Sequence, residues 1–234
     1  MIVRPGAGVL HLISQPDHAA LARRIMEHWR SLAASERRDE ILLAIQEHDS
    51  GWRGPDSALT VNPDTSSVAD FVHVPAEVQQ GVWPRAVERL SRTPWAAALV
   101  AHHAITVYDR FRADDAWREF FPAMTVLRDA NVAAADLPMK ALVRDYVYLR
   151  LGDLLSLAFC TAATEPQSLG PWTIRLDGAR LLVQPSAFAA DAAFAIEARE
   201  IPDVAYATDL SLREAVAAAP PRMLEGVVVS RPVH

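Results

Sequence analysis

The sequence predicts a mainly α protein, a helical bundle with a small antiparallel β-sheet beside it. Three observations predict it. Between residues 15 and 164, apolar side chains recur at the three-and-four spacing of helices that bury one face. Outside that span, short alternating runs broken by Pro-Gly and Asp-Gly read as hairpins. Finally, 234 residues with 51% hydrophobic and 22% charged side chains fit one globular unit with a sizeable core. We therefore expect a single domain over 1–234, its helical core over 15–164 and a β-rich appendage made of 1–14 and 170–234.

The first hairpin is predicted by Ile2-Val3-Arg4 and the run from Val9 to Ser14, flanking Pro5-Gly6-Ala7-Gly8. Pro16 and Asp17 suit the first turn of a helix. Its stripe of Leu21, Ala22, Ile25, Met26 and Trp29 runs to about Leu32, with His18 at its head. The next helix buries Ile41, Ala44, Ile45 and His48 on one face, and Gly51 ends it in the usual place for a C-terminal glycine. Loop signals fill residues 54–67, where either a lid or a plain surface loop would lie. Residues 75–90 predict a third helix bent near Gly81 and Pro84. Pro94 opens a fourth, with Trp95, Leu99, His102 or His103, Thr106 and Arg110 along one line. Two more helices follow over 113–135 and 138–164; on the second, Tyr146, Leu149, Asp153 and Leu157 share a face. Residues 171–183, turning at Asp177-Gly178, predict a second hairpin. Residues 194–199 and 226–229 predict further strands, and 212–219 a short helix stopped by Pro220-Pro221.

Charge and cysteine usage narrow the function classes. The formal charge is −6, the pI about 5.7 and Lys140 the one lysine, so nucleic acid and anionic membranes are not expected partners. No apolar run approaches the roughly 20 residues needed to span a bilayer. The start, Met1 to Gly6, lacks the basic opening and long apolar core of a signal peptide. Cys160 stands alone, which rules out a disulfide framework and reads as a small buried side chain on a helix. A cytoplasmic location is expected.

The candidates for chemistry are polar residues set among apolar helical neighbours: His18, His48-Asp49, one of the pair His102 and His103, and Asp153. A buried imidazole or carboxylate is costly unless something satisfies it. Asp153 could meet that need by pairing with an arginine such as Arg150. Four helices converging on one point would instead build a metal site in a bundle core. Mixed nitrogen and oxygen ligands suit a divalent transition ion: manganese, iron, zinc, cobalt or nickel. Trp52, next to the His-Asp pair, is a candidate substrate contact, and Arg53 and His102 are further ones.

The order His18, then His48-Asp49-Ser50-Gly51, then a later histidine, then Gly152-Asp153-Leu154-Leu155-Ser156 resembles the HD superfamily of metal-dependent phosphohydrolases. The superfamily resemblance covers roughly residues 15–164. Over nearly its full length the chain also resembles an uncharacterised bacterial family placed in that superfamily. The resemblance implies an HD-like helical bundle in which His18, His48, Asp49 and Asp153 hold a first metal. It selects His103 over His102, as a ligand of a second metal or of the substrate phosphate. It also implies hydrolysis of a small phosphomonoester or phosphodiester, with Asp49 holding the metal and orienting water. Two departures matter. The extra histidine of two-metal members has only His73 or His102 to supply it, so one ion or two stays open. Trp52 replaces the lysine that follows the His-Asp-x-Gly motif in one branch, so that branch's cyclic-dinucleotide chemistry is not implied. A di-iron oxygenase and a metal-binding module without catalysis are the alternatives; oligomeric state is open.

Overall fold

The computed structural model describes residues 1–230, so the last four positions of the β-rich segment expected over 170–234 lie outside the described residues. Strands β1 (Ile2–Pro5) and β2 (Val9–Ile13) lead into helices α1 (Gln15–Met26), α2 (Arg30–Ala33), α3 (Arg38–Glu47) and α4 (Arg53–Ser57). Four longer helices follow: α5 (Ala76–Arg89), α6 (Pro94–Val107), α7 (Phe120–Ala134) and α8 (Met139–Cys160). The chain then forms β3 (Gln167–Leu169), β4 (Trp172–Asp177), β5 (Arg180–Gln184), β6 (Ala192–Pro202), α9 (Asp209–Ala218) and β7 (Pro221–Val229). No helix among the described residues is long and apolar enough to cross a membrane.

The expected fold class is corrected. About half of the chain is helical, but the strands form one curled seven-stranded sheet rather than the small antiparallel sheet of an HD-like bundle. Its order is β1-β2-β6-β7-β5-β4-β3, and it is mixed because β5 and β7 run parallel. The expectation was too small because β6 and β7 extend to 11 and 9 residues. Ala192, Ala193 and Pro221 carry weak strand propensity, yet all three lie in the β6–β7 ladder. Pairing along neighbouring strands overrides that local preference.

Both faces of the sheet are covered. Ile13 of β2 and Ile196 and Ala198 of β6 join the main core with α1 and α8. Leu10, Leu12 and Ile201, on the alternate positions, join a second cluster with Leu59, Val68 and Leu212. Trp29 sits at the joint between helices and sheet, edge-on to Trp172 at 5.4 Å and to Phe188 at 5.3 Å. It also explains a shorter first helix than expected. The chain leaves α1 at Met26, pairs Trp29 with Phe188, and only then turns into α2.

Candidate metal centre

Four elements each aim a polar side chain at one buried point. Ser14 caps α1 by accepting from the Asp17 N–H at 3.1 Å, which fixes the first turn and sets His18 on the face shared with Leu21, Ala22 and Ile25. Helix α3 buries Ile41, Ala44 and Ile45, and His48 continues that stripe as the capping residue. The chain then tightens into a single 3-10 turn over Ser50–Trp52. Gly51 is needed there for contact rather than capping, because a Cβ would lie 1.9 Å from the Val82 carbonyl oxygen of α5. Helix α6 is buried nearly all round, and this decides between its tandem histidines. His103 points inward, while His102 is half-buried against Tyr146, ring centroids 4.6 Å apart. Asp153 lies on the buried face of α8, behind Gly152, whose missing side chain lets α1 and α3 close in.

The distances define one cluster. Oδ2 of Asp49 is 3.6 Å from His18 Nε2 and 3.3 Å from His48 Nε2. Oδ1 of Asp153 is 3.4 Å from His18 Nε2 and 3.7 Å from His48 Nε2. Its other oxygen, Oδ2, lies 3.7 Å from His103 Nε2 and accepts from Arg150 at 2.5 Å. All five of the clustered histidines and aspartates are buried.

The tautomer of His48 follows from its other nitrogen. Nδ1 lies 2.7 Å from the Ile45 carbonyl oxygen and must donate to it, so in the neutral ring Nε2 carries a lone pair. That lone pair faces two carboxylate oxygens, an arrangement of acceptors against acceptors that calls for a positive charge between them. His48 Nε2 and both ring nitrogens of His18 have no hydrogen-bond partner among the described residues.

The electrostatics agree. Burial by itself would lower the His48 pKa, but Asp49 and Asp153 outweigh it and hold it well above the usual imidazole range. Burial would raise both carboxyls, and the facing histidines hold Asp49 below and Asp153 well below the ordinary value. For His103 burial outweighs the pull of Asp153 and Asp49 and pushes it down to about 3, so it stays neutral.

The residues present fit a divalent cation. His18, His48 and Asp49 form one three-ligand group, and His48, His103 and Asp153 another. Neighbouring ligands around a tetrahedral ion with bonds of about 2.1 Å sit about 3.4 Å apart, close to the spacings found here. Both groups draw on His48, whose second nitrogen is taken by the backbone, so the ligand set favours one ion over two.

Beside the cluster opens a cavity of about 290 Å³. Asp49, His103 and Asp153 form its floor, and Trp52, Phe71, Trp83 and Tyr108 wall it. Arg110, whose guanidinium lies over the Phe111 ring, Arg150, bonded to Asp153, and Gln15 line it too. Of the substrate contacts expected from the sequence, Trp52 is in place. Arg53 is exposed on α4 and His102 turns toward Tyr146, and neither lines the cavity. His73 is exposed and paired with Asp70. Trp83, read from the sequence as core or site-wall packing, lines the cavity, whereas Gln15 and Tyr108 went unread and Arg150 was read only as a pairing partner of Asp153. For Arg150 the signal was its i, i+3 spacing from Asp153, which reads equally well as a surface ion pair.

Residues 1–203 match a protein family described as Protein of unknown function (DUF3891). No curated protein and no solved structure matches the chain.

Proposed function

The chain belongs to the DUF3891 family, and from the geometry of its buried cluster we propose that it is a metal-dependent hydrolase of phosphomonoesters or phosphodiesters. The observation that carries this reading is the set of buried His18 and His48 ring nitrogens, without hydrogen-bond partners among the described residues, that face the Asp49 and Asp153 oxygens at 3.3 to 3.7 Å. His18, His48, Asp49 and Asp153 would hold the ion, two neutral nitrogens and two negative oxygens balancing a divalent charge. The HD-like order of these residues in the sequence supports the same reading. A bound ion would supply Lewis acidity, polarising a phosphoryl oxygen and lowering the pKa of water.

The chain's own groups account for the rest. Arg150 and Arg110, which line the cavity, would offer guanidinium donors to the anionic oxygens of a phosphoester. Asp49, at the floor of the cavity, orients a water for attack on phosphorus. As the new P–O bond forms and the ester P–O bond breaks, the leaving oxygen needs a proton. The attacking water gives up one proton, and the neutral ring of His103, which lines the cavity with its other nitrogen tied to the Tyr146 hydroxyl at 3.1 Å, passes it to that oxygen. The apolar Trp52, Phe71, Trp83 and Tyr108 walls lower the local dielectric, which strengthens each of these electrostatic contacts.

Elemental analysis and turnover test the proposal together. About one transition-metal ion per chain is expected, with hydrolysis of p-nitrophenyl phosphate or its bis ester when manganese, iron, zinc, cobalt or nickel is supplied. Asp49→Asn should lose metal and slow turnover by at least roughly a hundredfold. Full metal content in that variant would remove the ligand assignment. Metal without turnover of either ester would leave a binding module in place of an enzyme.

A further inference from the structure

The loop between α4 and α5 walls a second cavity, which the metal chemistry does not use. This loop, residues 58–75, is built rather than slack. Val61 pairs with Val68, the Asn62 N–H donates to the Ser67 carbonyl at 2.8 Å, and the Ala69 N–H donates to the Thr60 carbonyl at 2.9 Å. Helix α9 braces it: Asp209 accepts the Val61 N–H and Arg213 donates to the Leu59 carbonyl, each at 2.8 Å. Between this loop, α4 and the start of α5 lies a space of about 550 Å³, within the range of pre-formed ligand sites. Its lining is mostly apolar, with Leu59, Val61, Ala69, Val74 and Val78 among the residues that form it. The ionisable groups on it are already paired. Asp56 accepts the Gln15 N–H at 2.6 Å and meets the Met1 amine, and His73 Nδ1 lies 2.6 Å from Asp70. The cavity therefore suits a hydrocarbon and has little to give an ion.

Shared walls tie this space to the metal centre. Trp52 lines both cavities. Phe71 and Val72 line the metal cavity, and the next two residues, His73 and Val74, line the second. Helix α5 repeats the pattern, with Gln79 on the first and Val78 on the second. Val72 is 46% exposed, an apolar side chain left in water on the turn that serves both.

We propose that the second cavity binds the hydrocarbon part of the substrate, which is then an amphiphilic phosphomonoester. The phosphate sits at the metal centre, and its alkyl chain crosses Val72 and lodges against Leu59, Ala69 and Val78. This inference rests on the reading of the metal cavity as a phosphoester site. A metal cavity of about 290 Å³ lies at the small end of ligand sites and takes the head of such a molecule, while the larger space takes its tail. The chain leaves water and covers Val72, so affinity grows with chain length.

The test is calorimetric titration of the full chain, with and without manganese, with ethyl, butyl, hexyl and octyl phosphate. Each methylene that enters the cavity should tighten binding by up to about fourfold, and octyl phosphate should bind at least about tenfold tighter than ethyl phosphate. Val78→Trp, which fills the cavity from α5, should bring that ratio to about one. Where the variant does not fold, 1-octanol serves on the native protein: it should compete with octyl phosphate and leave ethyl phosphate unaffected. Equal affinities along the series, no binding of any ester, a gain that survives Val78→Trp, or no competition by 1-octanol would each overturn the inference. Failure of the phosphoester reading looks different. Octyl phosphate binding no tighter than 1-octanol, and indifferent to manganese, would keep the apolar site and remove the phosphoester.

Discussion

A histidine that gives one nitrogen to its own helix and the other to a buried acidic pair has its chemistry set by hydrogen-bond accounting alone. His48 is such a residue, and its dipeptide partner Asp49 made it visible in the sequence. Cys160 was equally legible, as a small apolar side chain on a helix, and it is fully buried on α8. Burial pushes its thiol up to about 12. At pH 8 the native thiolate fraction should therefore be roughly a thousandfold below that of the unfolded chain, because three pKa units separate folded from free cysteine. Alkylation by iodoacetamide should be negligible in native protein and fast in urea; equal rates in both would refute the burial. The sign for stability follows. Cys160 contributes fully below the unfolded pKa near 9, and that contribution is lost as the pH rises toward 12. Gln15 was illegible, and Arg150 legible only as a partner of Asp153, for a different reason: a polar residue at a helix start, and an arginine one turn from an acid, are ordinary surface patterns until the cavity is seen.

At the scale of elements, the periodicity of α1 and α3 gave their inward faces, because each buries a stripe wide enough to register locally, whereas α6 is buried nearly all round and its spacing left His102 and His103 open. Their approach distance was not readable. Gly152 sets it: a Cβ there would meet Met26 Cγ at 3.0 Å and Ile45 Cγ2 at 3.2 Å. Gly152→Ala should push α8 away from α1 and α3, costing about 1–3 kcal/mol by overpacking. The same shift draws Asp153 away from His18 and His48, so metal affinity should fall about tenfold to a hundredfold. Urea titration with and without metal checks both parts, and a variant with native affinity would show that the contact does not position the site.

Over the whole molecule, sequence reasoning failed where partners are distant. Residues 1–14 and 170–229 look like separate accessories when read locally. In the fold they close one core, with Ile2, Ile174, Leu181 and Val228 buried among residues of α1, α6 and α8. A fragment of residues 15–164 should therefore show no cooperative unfolding transition by circular dichroism, although it contains every proposed metal ligand. A sharp transition in that fragment would make the sheet dispensable. The strand order carries a further consequence for biosynthesis. Strand β7 lies between β6 and β5, both of which leave the ribosome before it. Until residues 221–229 emerge, the nascent chain carries two facing ladders of unsatisfied amides and carbonyls, which invite mispairing and suit a chaperone that shields open strands.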